Sequence, residues 1–188
     1  MERIRNTNLQ HLDLSDNTNV RGINPSLHSL NLSRNNINSP FDVPLPPCQL
    51  QSLNISYNKI PYYLFKSFLK TSYFPALKHL NLDRIRLEGS IYPIQQFLEH
   101  SLSMNSFSAV ECDFSSESYI NITNGLKGSN NIKFADLSRN RVIHEKVAIS
   151  LSEMLQGSSL THLKMRHCDI KDHMGALIFN NLRKTHSI

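Results

Sequence analysis

The sequence predicts an α/β solenoid, a right-handed arc with a parallel sheet on the concave face and helices and loops on the convex face. Three observations predict it. One pattern, L-x-x-L-x-L-x-x-N-x-L, recurs seven times along the 188 residues. Its copies are spaced by the length of a coil that leaves a strand and returns to lie beside it. Leu, Ser and Asn number 25, 24 and 20, so three residue types fill 69 positions.

The pattern is clean in Leu27-Leu30-Leu32-Asn35-Ile37 and in Leu50-Leu53-Ile55-Asn58-Ile60, and recurs as Ile132-Ala135-Leu137-Asn140-Val142. The first copy is Leu9-Leu12-Leu14-Asn17, with Val20 one place late. The fourth, Leu77-Leu80-Leu82-Leu87, has Ile85 where Asn is expected. The seventh, Leu160-Leu163-Met165-Cys168-Ile170, puts Cys in that place. The fifth reads as a degraded copy, Phe107-Val110-Cys112, with Ser115 in the Asn place and Glu117 in the last apolar slot.

Each part of the pattern has a physical meaning. L-x-L is the alternation of a short strand with one buried face. The Asn amide, at the turn out of the strand, can satisfy backbone groups of adjoining coils. One coil cannot bury its apolar face alone, but stacked coils share a continuous core.

The copies start at Leu9, Leu27, Leu50, Leu77, Phe107, Ile132 and Leu160, so the first two intervals are short and the later ones longer. Residues 38–49 hold four of the eight prolines, so that convex segment is expected to be irregular. Later coils have room for a helix. Leu64, Phe65, Phe68 and Leu69 fit one helical face, and Ile94, Phe97, Leu98 and Leu102 fit another. Val147, Leu151, Met154 and Leu155 fit a third, ending at Gly157, and Met174, Leu177, Ile178 and Asn181 a fourth. We expect residues 1–188 to form a single domain of about seven coils. Because neither end reads as a terminal cap, we expect that domain to be a fragment of a longer chain.

Over residues 9–188 the pattern resembles that of leucine-rich repeat proteins. The later, longer copies with their amphipathic helices resemble the ribonuclease-inhibitor-like class. LNLSRNNI, LNISYNKI, ADLSRNRV and VAISLSEMLQGSSLTHLKM resemble repeats of the CARMIL family of actin-capping-protein regulators. The repeat resemblance implies non-catalytic recognition of a protein partner, and the CARMIL resemblance an actin-regulatory scaffold. A further alternative is a recognition segment of a multidomain enzyme, either a ubiquitin-ligase receptor or a kinase.

Composition narrows the classes further. The net charge of +5 is mild and has no basic block, so no nucleic-acid footprint is indicated. No apolar run approaches the ~20 residues of a membrane span, so no membrane insertion is expected. Six Gly and no G-x-G-x-x-G argue against a nucleotide site. Cys48, Cys112 and Cys168 are odd in number, and their wide separations match no metal or redox motif. A reducing, intracellular and cytoplasmic compartment is therefore expected. The late cluster of His162, His167 and His173 with Cys168 has no closed zinc spacing, so no metal or cofactor is expected.

Function should lie in the residues that escape the pattern and face outward from the strands. Read in the order of the copies, Asp83, Glu111, Asp113 and Asp136 form an acidic strip with Phe114 and Phe134 beside it. His162, Lys164 and Arg166 form a basic end. Aromatic rings beside charges of one sign suit a protein-binding surface. Glu111 and Asp113 could also mimic a carboxylate dyad, but an open solenoid face implies no pocket, and no enzyme activity is expected.

Overall fold

The structure, a computed structural model, describes residues 8–18, 20, 26–38, 47–87, 91–142 and 144–183. Seven strands of three residues form one sheet: β1 (His11–Asp13), β2 (Ser29–Asn31), β3 (Ser52–Asn54), β4 (His79–Asn81), β5 (Ser106–Ser108), β6 (Phe134–Asp136) and β7 (His162–Lys164). They lie side by side in chain order, and every pairing is parallel. Leu12, Leu30, Leu53, Leu80, Phe107, Ala135 and Leu163 align across the sheet. These central residues turn inward, so the two flanking residues of each strand face away from the core.

Five helices return the chain: α1 (Tyr62–Phe68), α2 (Tyr92–His100), α3 (Ser116–Gly128), α4 (Glu145–Gly157) and α5 (Asp172–Arg183). Helices need about 10 Å each and strands about 4.8 Å, so the helical side is the wider one and the sheet lines the concave face. The predicted apolar faces are buried: Leu64, Phe65 and Phe68 in α1, Ile94, Phe97 and Leu98 in α2, Val147, Leu151 and Met154 in α4, Met174 and Ile178 in α5. Leu102 departs from the expectation: it lies beyond the end of α2 and is 84% exposed. Of the proline-rich segment 38–49, residues 39–46 lie outside the described residues.

The fifth coil corrects the sequence reading. Phe107 pairs with Leu80 and Ala135, so it is the central strand residue and not the first residue of the copy. The true copy is Met104-Phe107-Ala109-Cys112-Phe114, so its start moves back from Phe107 to Met104. Met104, Phe107, Ala109 and Cys112 are all fully buried. The degraded appearance comes from the slip. From the third copy onward the starts are Leu50, Leu77, Met104, Ile132 and Leu160, at nearly equal intervals. Ser115 and Glu117 are released from the pattern and open α3 instead. The Ser115 side chain accepts the Ser118 N–H, and Glu117 lies in the positive first turn.

A ladder of short polar side chains ties the coils together. Asn58 Nδ2 donates to Leu32 O at 2.9 Å and to Ile55 O at 2.8 Å. Its Oδ1 accepts from Asn35 N and Ile37 N at 3.0 and 2.9 Å. Asn140 repeats this in the sixth coil, donating to Ala109 O at 2.7 Å and accepting from Cys112 N at 2.9 Å. In the fifth and seventh coils a thiol replaces the amide, with Cys112 Sγ directed to Leu82 O and Cys168 Sγ to Leu137 O. There the preceding coil bonds to the Cys carbonyl instead, from Leu87 N and Val142 N.

Close packing of α3 on α2 depends on Gly125. A Cβ there would stand 3.0 Å from Gln95 O and 3.1 Å from both Gln95 Cα and Leu98 Cβ. Two of those atoms are backbone and cannot swing aside. Gly125→Ala gains about 1 kcal/mol of helix propensity, but overpacking costs about 1–3 kcal/mol. Gly125→Val adds more bulk without Ala's propensity. Urea denaturation should show Gly125→Val losing about 3 kcal/mol and Gly125→Ala no more than about 2.

Candidate functional site

Outward residues on the strand face fall in two columns. The first column is His11, Ser29, Ser52, His79, Ser106, Phe134 and His162. The second is Asp13, Asn31, Asn54, Asn81, Ser108, Asp136 and Lys164. The second column has a structural task. In five coils its side-chain oxygen accepts the N–H two residues on, as in Ser56 N to Asn54 Oδ1 at 3.0 Å and Ser138 N to Asp136 Oδ1 at 3.1 Å. This Asx turn bends the chain out of the strand.

The two coils without that Asx turn borrow an acceptor. Ser108 is too short, and Asp83 of the coil before accepts from both Ser108 Oγ and Val110 N, at 2.6 and 2.8 Å. Lys164 has no acceptor, and Ser138 Oγ accepts the Arg166 N–H at 3.0 Å. Asp83 is thus a turn-forming group, and Asp136 is one as well.

The next turn residue has positive φ in every coil: Asp16, Arg34, Tyr57, Arg84, Glu111, Arg139 and His167. Their side chains form a rim beside the sheet. Arg34 pairs with Asp16 at 3.7 Å and lies 4.7 Å from the centroid of the Tyr57 ring. Arg84 lies 5.0 Å from the same ring and pairs with Glu111 at 2.8 Å. Arg139 reaches Glu111 at 3.6 Å. A second row pairs Arg86 with Asp113 and Arg141 with Asp169. These pairs are solvent-exposed and contribute little stability each, but they neutralise the acids.

The expected acidic strip therefore does not form as read. Glu111 and Asp113 belong to the rim rows, each beside an arginine, because the fifth copy starts at Met104. Phe114 fills the last apolar slot of its coil and packs edge-on against Tyr119, with centroids 5.2 Å apart. Neither a carboxylate dyad nor an exposed Phe114 results.

The remaining candidates do converge. Phe134 and His162 are neighbours across β6 and β7, with ring centroids 6.4 Å apart. Lys164 Nζ sits 4.9 Å from the Phe134 centroid and 3.9 Å from Asp136 Oδ2. His162 Nδ1 is 3.0 Å from Thr161 Oγ1. Arg166 is exposed at the strand exit beyond this group. Ring, cation and carboxylate thus hold one another in place on the concave face. The rim residues Tyr57, Arg34 and Arg84 are not among those the sequence singles out, although Tyr57 and the two arginines share one pattern position.

The three thiols are free, buried and tied to the ladder or to backbone carbonyls. Burial pushes the Cys112 thiol from its ordinary value of 9 up to about 12, and raises Cys48 and Cys168 as well. In the folded chain the neutral thiol is favoured. The stability this gives Cys112 is present below pH 9 and is lost as pH rises from there through about 12. At pH near 8, a thiol-reactive dye should label less than about one cysteine per native chain and all three after denaturation. Rapid labelling of the native chain would contradict the buried ladder assignment.

Among the described residues, no group of three or more His, Cys, Asp or Glu is placed to hold a metal ion. No described helix is long and apolar enough to cross a membrane. The family model described as Leucine Rich repeat matches residues 5–21, 24–40 and 158–173, which include strands β1, β2 and β7. No curated protein matched the chain.

Proposed function

This chain is a leucine-rich repeat protein, a family whose repeats generally mediate protein–protein interaction, and we propose that it recognises a protein partner, without catalysis, on the concave face over β6 and β7. One observation carries this reading. Among the described strand residues, Phe134 is the only outward-facing Phe, Tyr or Trp, and it is held by His162, Lys164 and Asp136. A large ring with little freedom left to lose is the usual anchor of a protein interface. Lys164 and Arg166 beside it favour carboxylates on the partner.

Affinity capture with the purified chain, followed by titration against the captured protein, tests the proposal. Phe134→Ala should weaken binding by about tenfold to a hundredfold, and Lys164→Glu by at least about tenfold. Ser52→Ala, on the same face at β3, should change nothing. Asp136→Asn keeps the Asx acceptor and removes only the charge, so any loss it causes belongs to binding and not to folding. Unchanged affinity for Phe134→Ala would overturn the reading. The two special cases differ in the captured protein. An actin-regulatory scaffold should retain cytoskeletal proteins, and a recognition segment of a ubiquitin ligase or kinase should retain its substrates.

A further inference from the structure

A second surface, on the convex side, has a different chemistry. Between α1 and α2 lies a groove of about 810 Å³. Its floor is Leu69 and Phe97, both buried, and its walls include Tyr63 and Tyr92, which are 61% and 51% exposed. Its charged and titratable rim groups are Lys66, Lys70 and His100, and no described residue lining it is acidic. Elsewhere on this helical side a lysine meets its own carboxylate: Lys127 of α3 pairs with Glu153 of α4 at 3.1 Å. The sequence bias agrees, since residues 1–94 hold 10 basic and 6 acidic residues. Phe65, Phe68 and Phe74 are buried, but Tyr63 is not.

We propose that the α1–α2 groove binds an acidic polypeptide segment, its carboxylates on Lys66 and Lys70 and one apolar side chain between Tyr63 and Tyr92. Tyrosines offer a large apolar wall at low entropic cost. Among the described residues lining the groove no carboxylate competes for the lysines, and Lys70 Nζ rests 5.2 Å from the centroid of the Tyr73 ring. Two lysines and one histidine fall short of the row of cations that a nucleic-acid backbone needs, so a polypeptide is the better match. This site is independent of the β6–β7 surface.

The probe is a fluorescein-labelled, Glu-rich peptide of about twelve residues with one central Phe, titrated by anisotropy against the intact chain. Binding should be saturable and should weaken as salt rises. Lys66→Glu with Lys70→Glu should weaken it at least tenfold, and the corresponding pair of Gln substitutions should do so by less. Tyr63→Ala should also weaken it, whereas Phe134→Ala should not. With a photoreactive benzoyl group on the Phe, cross-links should fall within residues 63–71 and 92–100. The proposal is overturned by any of four results: no saturation up to about 1 mM, insensitivity to the lysine reversals, cross-links on the strand face, or tighter binding of an oligothymidylate of equal charge.

Discussion

Asn140→Ala should lower the free energy of unfolding by about 3 kcal/mol. Asn140 is 1% exposed and spends both ends of its amide on backbone. Its Nδ2 reaches Ala109 O and Leu137 O, at 2.7 and 3.0 Å, and its Oδ1 takes the Cys112 N–H at 2.9 Å. Alanine leaves Ala109 O and the Cys112 N–H buried without that partner, at about 1–3 kcal/mol for each that water cannot reach, while Leu137 O keeps the Cys168 thiol. Asn17→Ala is the internal comparison. Asn17 makes similar bonds to Leu14 O and Ser15 O, but they are exposed, and water replaces them. Its loss should stay near or below about 1 kcal/mol. Urea denaturation of the two variants, side by side, checks the gradient. Equal losses would mean that the amides serve local turns only and do not tie coils together.

Ala109→Asp should abolish cooperative folding, whereas Val110→Asn next to it should cost about 1 kcal/mol. The pair tests the register of the fifth coil. Ala109 is fully buried beside Phe107 in the shared core. A carboxylate there would be buried without a partner, at a cost of several kcal/mol against a typical total of about 5–15. Val110 is half-buried at the strand exit, and its backbone, not its side chain, makes the contacts to Asp83 and Arg84. In the slipped register, with Val110 in the core and Ala109 outside, the order of the two effects would reverse. Far-UV circular dichroism and denaturation of both variants decide the matter.

Seven coils, a parallel sheet and four of the five helices are legible in the sequence because their residues obey one rule each. Leu30, Leu53 and Leu80 are central strand residues at fixed distances from a ladder residue or its substitute, and tertiary context does not disturb them. The fifth coil misleads because Phe107, Val110 and Cys112 imitate the spacing that Met104, Phe107 and Ala109 fulfil. The Cys in the seventh coil already shows that a thiol can take the Asn place, and applying that rule to Cys112 sets the register. Helix α3 escapes for the same reason, and because its buried face is part polar. Ser118, Thr123 and Gly125 are buried there beside Tyr119, Ile122 and Leu126.

The candidate site is half legible. Columns of residues can be read from a repeat, but their hydrogen bonds cannot. Asp83 and Asp136 look like free acids in the sequence, yet both form the turn out of a strand, Asp83 for the coil that follows and Asp136 for its own. Glu111 and Asp113 move to the rim with the register. Phe134, His162 and Lys164 keep their places because β6 and β7 follow the pattern closely. The tyrosine-lined groove is not legible at all, since it depends on how α1 lies against α2.

Hydroxyl-radical footprinting of the chain, free and with its captured partner, tests the central claim most directly. It reads the solvent access of individual side chains, and Phe134 and His162 are both reactive types. We predict that oxidation of Phe134 and His162 falls severalfold in the complex, while Tyr57 on the rim and Leu102 on the convex side stay unchanged. Unaltered Phe134 and His162, with protection confined to the helical side, would contradict recognition through the concave face.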